Sequence, residues 1–126
     1  MERLVYAGTN MTPHIIFDKS EAVFSMIGTS RPENPHEYYK PIFSWLNTYF
    51  ENPNNTTSFH VELDYFNTST SKILLDIFEI FEKNTLKGIH IHVNWFYQSD
   101  DDEMMEAGEE LLNLVDISFE VKEVEI

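Results

Sequence analysis

Three stretches of the chain alternate apolar and polar residues strictly, and in each of them one side stays polar. In SFHVELDYF, Phe59, Val61, Leu63 and Tyr65 share one side while His60, Glu62 and Asp64 share the other. In GIHIHVNWF, Ile89, Ile91, Val93 and Trp95 oppose His90, His92 and Asn94; in ISFEVKEV, Ile117, Phe119 and Val121 oppose Ser118, Glu120 and Lys122. A period of two is that of a β-strand. Strands covered by helices on both faces read as continuous apolar runs, so these predict a sheet packed on one face and largely open to water on the other.

Helical patterns separate the strands. Residues from about Pro35 to Phe50 carry Tyr39, Ile42, Phe43, Trp45, Leu46 and Phe50 on a broad apolar face. From about Ser69 to Lys83, Ile73, Leu74, Ile77, Phe78 and Phe81 recur at helical spacing, with Gly88 as the expected stop beyond them. From about Asp100 to Leu114 the apolar side is Met104, Met105, Leu111 and Leu112. Ahead of these, HIIFD and AVFSMIG read as a hairpin joined around Lys19 and Ser20, and LVYAG as a short leading strand. Helix-linked strands run parallel with right-handed crossovers. The expected fold is an α/β two-layer domain: a mixed β-sheet with helices packed on one face and the other face largely open.

With 126 residues, 42% of them hydrophobic, the chain suffices for one domain over 1–126 and is short for two. The net charge of −14 repels phosphate backbones and anionic lipid, which disfavours nucleic acid and membrane surfaces as partners. Cysteine is absent, which excludes disulfides, zinc–thiolate sites and thiol catalysis. No apolar run approaches membrane-spanning length, and MERLVYAGTNMT lacks a signal-peptide pattern, so a soluble cytoplasmic protein is expected.

The three helix starts differ in charge. The first, Asn34-Pro35-His36-Glu37, has a cap, a proline at its first position and a glutamate to complete a capping box. The third, Ser99-Asp100-Asp101-Asp102-Glu103, crowds carboxylates at the positive end of the helix dipole. The second follows Asn67 with Thr68, Ser69, Thr70 and Ser71, and its first-turn charge is Lys72, a cation. Unpaired N–H groups, an unneutralised dipole, hydroxyls and a lysine suit a phosphate that comes and goes. Ordinary capping by Ser or Thr explains the same residues without any phosphate.

The run YFNTSTSKILLDIFE, Tyr65 to Glu79, resembles the signature Y-F/L-N-T-S-S/T-x-K-x-L/M-L/M-D-I/L of the SiaC family of regulatory phosphoproteins, small bacterial proteins with a fold similar to STAS domains. Weaker pieces follow in the family's order: Thr12-Pro13 before the hairpin, Arg31-Pro32-Glu33-Asn34 at the first helix start, Trp45, Val93-Asn94-Trp95 followed by Phe96, and Ala107-Gly108-Glu109. Arg31 stands where the family commonly has an aromatic, and His90 and His92 where its strand is more apolar or hydroxylated. The resemblance implies a non-enzymatic switch protein without catalytic residues, cofactor or metal. It implies phosphorylation at Thr68, the threonine directly after asparagine, with Asn67, Ser69, Thr70, Ser71 and Lys72 contacting the phosphate or a partner. It also implies a cognate protein kinase, a PP2C-type phosphatase, and a diguanylate cyclase activated by the unphosphorylated form, hence a role in cyclic-di-GMP signalling and biofilm control.

The residues leave two other readings open. His60, His90 and His92 fall on the open sheet face and invite a metal site or metal-dependent enzyme, although no HExxH spacing enforces coordination. A scaffold that works without phosphorylation is the other. The Asp100 to Glu103 run lacks the ligand spacing of a calcium loop. No nucleophile elbow or phosphate-cradling glycine loop is present.

Overall fold

A computed structural model describes residues 1–125. Their elements run β1 (Leu4–Tyr6), β2 (His14–Asp18), β3 (Val23–Ser30), α1 (Pro35–Tyr49), β4 (Thr56–Phe66), α2 (Thr68–Thr85), β5 (His90–Tyr97), α3 (Asp102–Leu114) and β6 (Ser118–Glu123). One six-stranded mixed sheet holds the strands in chain order. β1, β2 and β3 pair antiparallel, and β3 through β6 pair parallel.

Each of the three helical crossovers therefore steps the same way across the sheet. With the right-handed sense of such connections, that puts all three helices on one face. Burial follows this geometry: Phe59, Val61, Ile91, Val93, Trp95 and Phe119 are buried, while His60, Glu62, His92 and Asn94 on the opposite face keep part of their surface in water. The sheet's inner side chains meet the buried stripes of α1 (Tyr39, Ile42, Leu46, Tyr49) and α2 (Ile73, Leu74, Ile77, Phe78, Phe81). Aromatic rings knit the layers together, with Phe17 of β2 5.4 Å from Trp45 of α1 and Phe59 of β4 5.2 Å from Phe81 of α2 between centroids.

The structure departs from the sequence expectation at Tyr65. Gly28 pairs with Leu63 but Thr29 pairs with Tyr65, so Asp64 is an extra residue in β4. Gly28 adopts φ 120°, a conformation that side chains rarely take, at this irregularity. The bulge reverses the in–out phase of the strand. Tyr65 turns out to 50% exposure, and Phe66 takes the inner side with its ring 5.9 Å from that of Trp95. Thr29 Oγ1 donates to Asp64 Oδ1 at 2.5 Å and pins the bulge.

Boundaries shift modestly elsewhere. β3 continues past Gly28 to Ser30, α2 begins one residue earlier than expected and ends two later, and α3 starts at Asp102 with Asp101 as its cap. Pro41 lies inside α1 on its exposed side. Among the described residues, no helix is long and apolar enough to cross a membrane.

Candidate modification site at the start of α2

β3, β4 and β5 end at Ser30, Phe66 and Tyr97, so the starts of α1, α2 and α3 gather along one edge of the sheet. In open α/β sheets that edge, beyond the carboxyl ends of the parallel strands, is where ligands are usually met. The three helix starts are capped alike: Asn34 Oδ1 accepts from the Glu37 N–H at 3.4 Å, Asn67 Oδ1 from the Thr70 N–H at 3.0 Å, and Asp101 Oδ1 from the Met104 N–H at 3.0 Å. They are charged differently. Glu37 sits in the first turn of α1, and Asp102 and Glu103 in that of α3, whereas the first turn of α2 holds no acidic residue.

Thr68 is the first residue of α2, directly after its cap, and it is exposed, as is Ser69. Ser71 is half-buried. Thr70 corrects the expectation that it contacts a phosphate or partner, because it is fully buried. Its Oγ1 donates to the Ser30 carbonyl at 3.2 Å and lies 2.8 Å from Ser30 Oγ. Ser30 Oγ in turn lies 2.6 Å from the Tyr39 hydroxyl. Both Ser30 and Tyr39 have no exposed surface. One head-to-tail arrangement satisfies all three hydroxyls: Tyr39 donates to Ser30, Ser30 to Thr70, and Thr70 to the Ser30 carbonyl. Burial pushes the Tyr39 phenol well above its ordinary pKa, with the Ser30 hydroxyl opposing that in part, so Tyr39 stays neutral and able to donate.

The Ser30 carbonyl also accepts the Asn67 N–H at 3.2 Å. Ser30 thus grips the chain on both sides of Thr68 and Ser69, which protrude as a two-residue corner. Neither Ser30 nor the hydroxyl contact of Tyr39 is marked in the sequence. Forty residues separate Ser30 from Thr70, and a lone serine at a strand end carries no periodic signal.

Lys72 does not point to an empty helix end. Its Nζ lies 2.7 Å from Asp76 Oδ1, one turn along α2, and that carboxylate raises the lysine's pKa. Both groups are at least one-third exposed, so the pair contributes little to stability and a stronger anion could compete for the ammonium.

The histidines do not converge on one centre. His60 stacks on Phe96 with 4.4 Å between ring centroids, and its Nε2 lies 3.1 Å from Glu62. His92 lies 2.5 Å from Ser118 Oγ through Nδ1, and 3.1 Å from Asn94 Oδ1 and 3.0 Å from Glu120 through Nε2. His90 is exposed beside Thr56. Among the described residues, no three His, Cys, Asp or Glu side chains are grouped to hold a metal ion, so a shared site on His60, His90 and His92 is not what the fold builds.

Comparison with known proteins converges on one family. A model described as "SiaC family regulatory phosphoprotein" matches residues 6–124. An uncharacterised protein of Pseudomonas aeruginosa strain UCBPP-PA14 is 29% identical over 110 residues, 87% of each chain. The solved structure of SiaC of Pseudomonas aeruginosa superposes with a TM-score of 0.89 at 27% identity, covering 98% of this chain and 100% of that one. A third relative is the structure of the diguanylate cyclase SiaD in complex with its activator SiaC, from the same organism. Its matching chain has a TM-score of 0.90 at 26% identity, with 96% of this chain and 99% of that one covered.

Proposed function

The chain belongs to the SiaC family of regulatory phosphoproteins, and we propose on that premise that reversible phosphorylation of Thr68 sets its binding to partner proteins. The observation that carries this reading is the placement of Thr68. It is an exposed first residue on a capped helix whose first turn has no carboxylate of its own.

In the reaction a cognate kinase transfers the γ-phosphoryl group of a nucleoside triphosphate to Thr68 Oγ1. The hydroxyl proton leaves to a base on the kinase and the nucleoside diphosphate departs. A PP2C-type phosphatase reverses the change by hydrolysis, with water restoring the hydroxyl and inorganic phosphate leaving. The role of the chain is non-enzymatic.

Phosphorylation adds about 1.5 to 2 negative charges and three acceptor oxygens. The dipole of α2 and the first-turn N–H groups other than that of Thr70, which Asn67 already holds, favour the anion by about 0.3–1 kcal/mol. That is too little to remodel a fold with so large a core. The larger effect falls on a partner seated over the corner, which must desolvate or repel the new charge.

SiaC of Pseudomonas aeruginosa is the activator of the diguanylate cyclase SiaD, with which it forms a complex. By extension, the unphosphorylated form of this chain binds and activates a diguanylate cyclase, and phosphorylation releases it. The switch then acts on cyclic-di-GMP signalling and, through it, on biofilm formation. Capture of a diguanylate cyclase by the unphosphorylated chain, and its loss after treatment with the kinase and ATP, supports this reading. Equal capture by both forms contradicts it.

A further inference from the structure

We propose that Ser30 is a positioning residue for the modification of Thr68: it withdraws Thr70 and holds Thr68 and Ser69 as a fixed corner on which the kinase reads Thr68. The inference rests on Thr68 being the phosphoacceptor and adds what holds it in place for the kinase.

All four residues carry a β-hydroxyl able to accept a phosphoryl group. The fold separates them. The Ser30 carbonyl takes the Asn67 N–H at 3.2 Å on one side of the corner and the Thr70 hydroxyl at 3.2 Å on the other. The Ser30 hydroxyl adds a second tie to Thr70 at 2.8 Å, and Tyr39 braces that hydroxyl from α1 at 2.6 Å. Thr70 is thereby withdrawn from any kinase, and Ser71 is half-buried. The two exposed candidates, Thr68 and Ser69, are held at fixed positions in the first helical turn. All the atoms that make these ties are neutral hydroxyls, carbonyls and amides, so the corner keeps its shape whatever the charge state of the surface around it.

Loosening the ties allows the corner to sample other conformations. A kinase that recognises one conformation then meets a smaller competent fraction, and its apparent affinity falls by that fraction. Selectivity among the hydroxyls falls with it.

The test compares wild type with Ser30→Ala, Thr70→Val and Thr70→Ser as full chains, each confirmed folded at the assay temperature. The kinase that labels the wild-type chain is used with ATP, and phosphorylation rate and site are read by peptide mapping. Thr70→Val, which removes the Thr70 ties to both the Ser30 carbonyl and the Ser30 hydroxyl, is expected to raise KM about tenfold with kcat within twofold, and Ser30→Ala, which removes only the hydroxyl tie, about threefold, each placing a measurable share of label on Ser69 or Ser71. Thr70→Ser, which keeps the hydroxyl, is expected to retain wild-type kinetics and labelling of Thr68 alone. A merely structural role lowers melting temperature without redistributing the label. Should Ser30→Ala fail to fold, Thr70→Val and Tyr39→Phe carry the comparison, the latter removing only the brace from α1. Wild-type KM with label confined to Thr68 in Ser30→Ala, or in those two substitutes, overturns the positioning role and leaves the switch intact. Absence of label from Thr68 in the wild-type chain overturns the switch itself and this inference with it.

Discussion

The Thr70 hydroxyl sits 2.8 Å from that of Ser30, forty residues earlier in the chain, and both residues are fully buried. That contact joins the end of β3 to the first turn of α2 and holds Thr70, alone of the Thr68 to Ser71 run, fully out of water. It also separates two kinds of substitution along four adjacent positions.

Thr70→Val keeps the shape of the side chain but leaves the Ser30 hydroxyl without its acceptor in a dry site. A loss of about 1–3 kcal/mol is expected from urea unfolding. Thr68→Ala, at an exposed position, is expected to stay within about 0.5 kcal/mol of wild type. Equal losses at the two positions would contradict the burial pattern.

Asn67→Ala removes the acceptor of the Thr70 N–H. The expected cost is about 1 kcal/mol, and Asn67→Asp restores most of it because a carboxylate also caps. The aspartate variant has a second consequence. It places a permanent anion at the start of α2, so a phosphate on Thr68 becomes harder to accommodate, and slower phosphorylation with unimpaired stability is expected.

Gly108 in α3 lies under the indole of Trp95. A Cβ there would overlap Trp95 Cδ1, inside any tolerable contact. The indole cannot retreat easily, because Trp95 is fully buried and its Nε1–H donates to the Met104 carbonyl at 3.0 Å. Gly108→Ala is expected to destabilise the protein by about 1–3 kcal/mol and to shift tryptophan fluorescence. An unchanged unfolding midpoint would show that α3 packs differently.

Asp18 governs the turn between β2 and β3. The Glu21 N–H donated to it holds its carboxyl below the ordinary range. Burial opposes this, while the Ser20 hydroxyl and nearby Arg3 assist. A depressed folded-state pKa means that the contribution is fully present above the unfolded value near 3.8 and is lost as pH falls through the lower folded value. The gap in urea midpoint between wild type and Asp18→Asn is therefore expected to hold constant above about pH 5 and to close in acid. A gap that widens on acidification would reverse the sign.

The architecture was legible because its signal is periodic. Strict alternation in β4, β5 and β6 with one polar side announced a sheet covered on one face, and the one-way order of crossovers follows from it. Tyr65 departs from the alternation because a bulge is a phase slip of one residue: the pattern Phe59, Val61, Leu63 runs on into Tyr65 in sequence, while Asp64 breaks it in space. The unneutralised start of α2 was legible as charge along the chain. The pairing of Lys72 with Asp76 follows the i, i+4 spacing of a helix and is legible in the sequence. The ties from Ser30 to Thr70 and Tyr39 were not legible, since they depend on which strand end lies beside which helix start.

The central claim is that Thr68 carries the switch, and the most direct measurement is the affinity of a diguanylate cyclase for this chain in its two states. The chain is phosphorylated with kinase and ATP, a single phosphate on Thr68 is verified by intact mass and peptide mapping, and binding is compared with the untreated chain by calorimetry. The expected result is tight binding and cyclase activation by the untreated form, both lost on phosphorylation and both restored by a PP2C-type phosphatase. Equal affinity of the two forms, or a phosphate that settles on another residue while binding is lost, would contradict it.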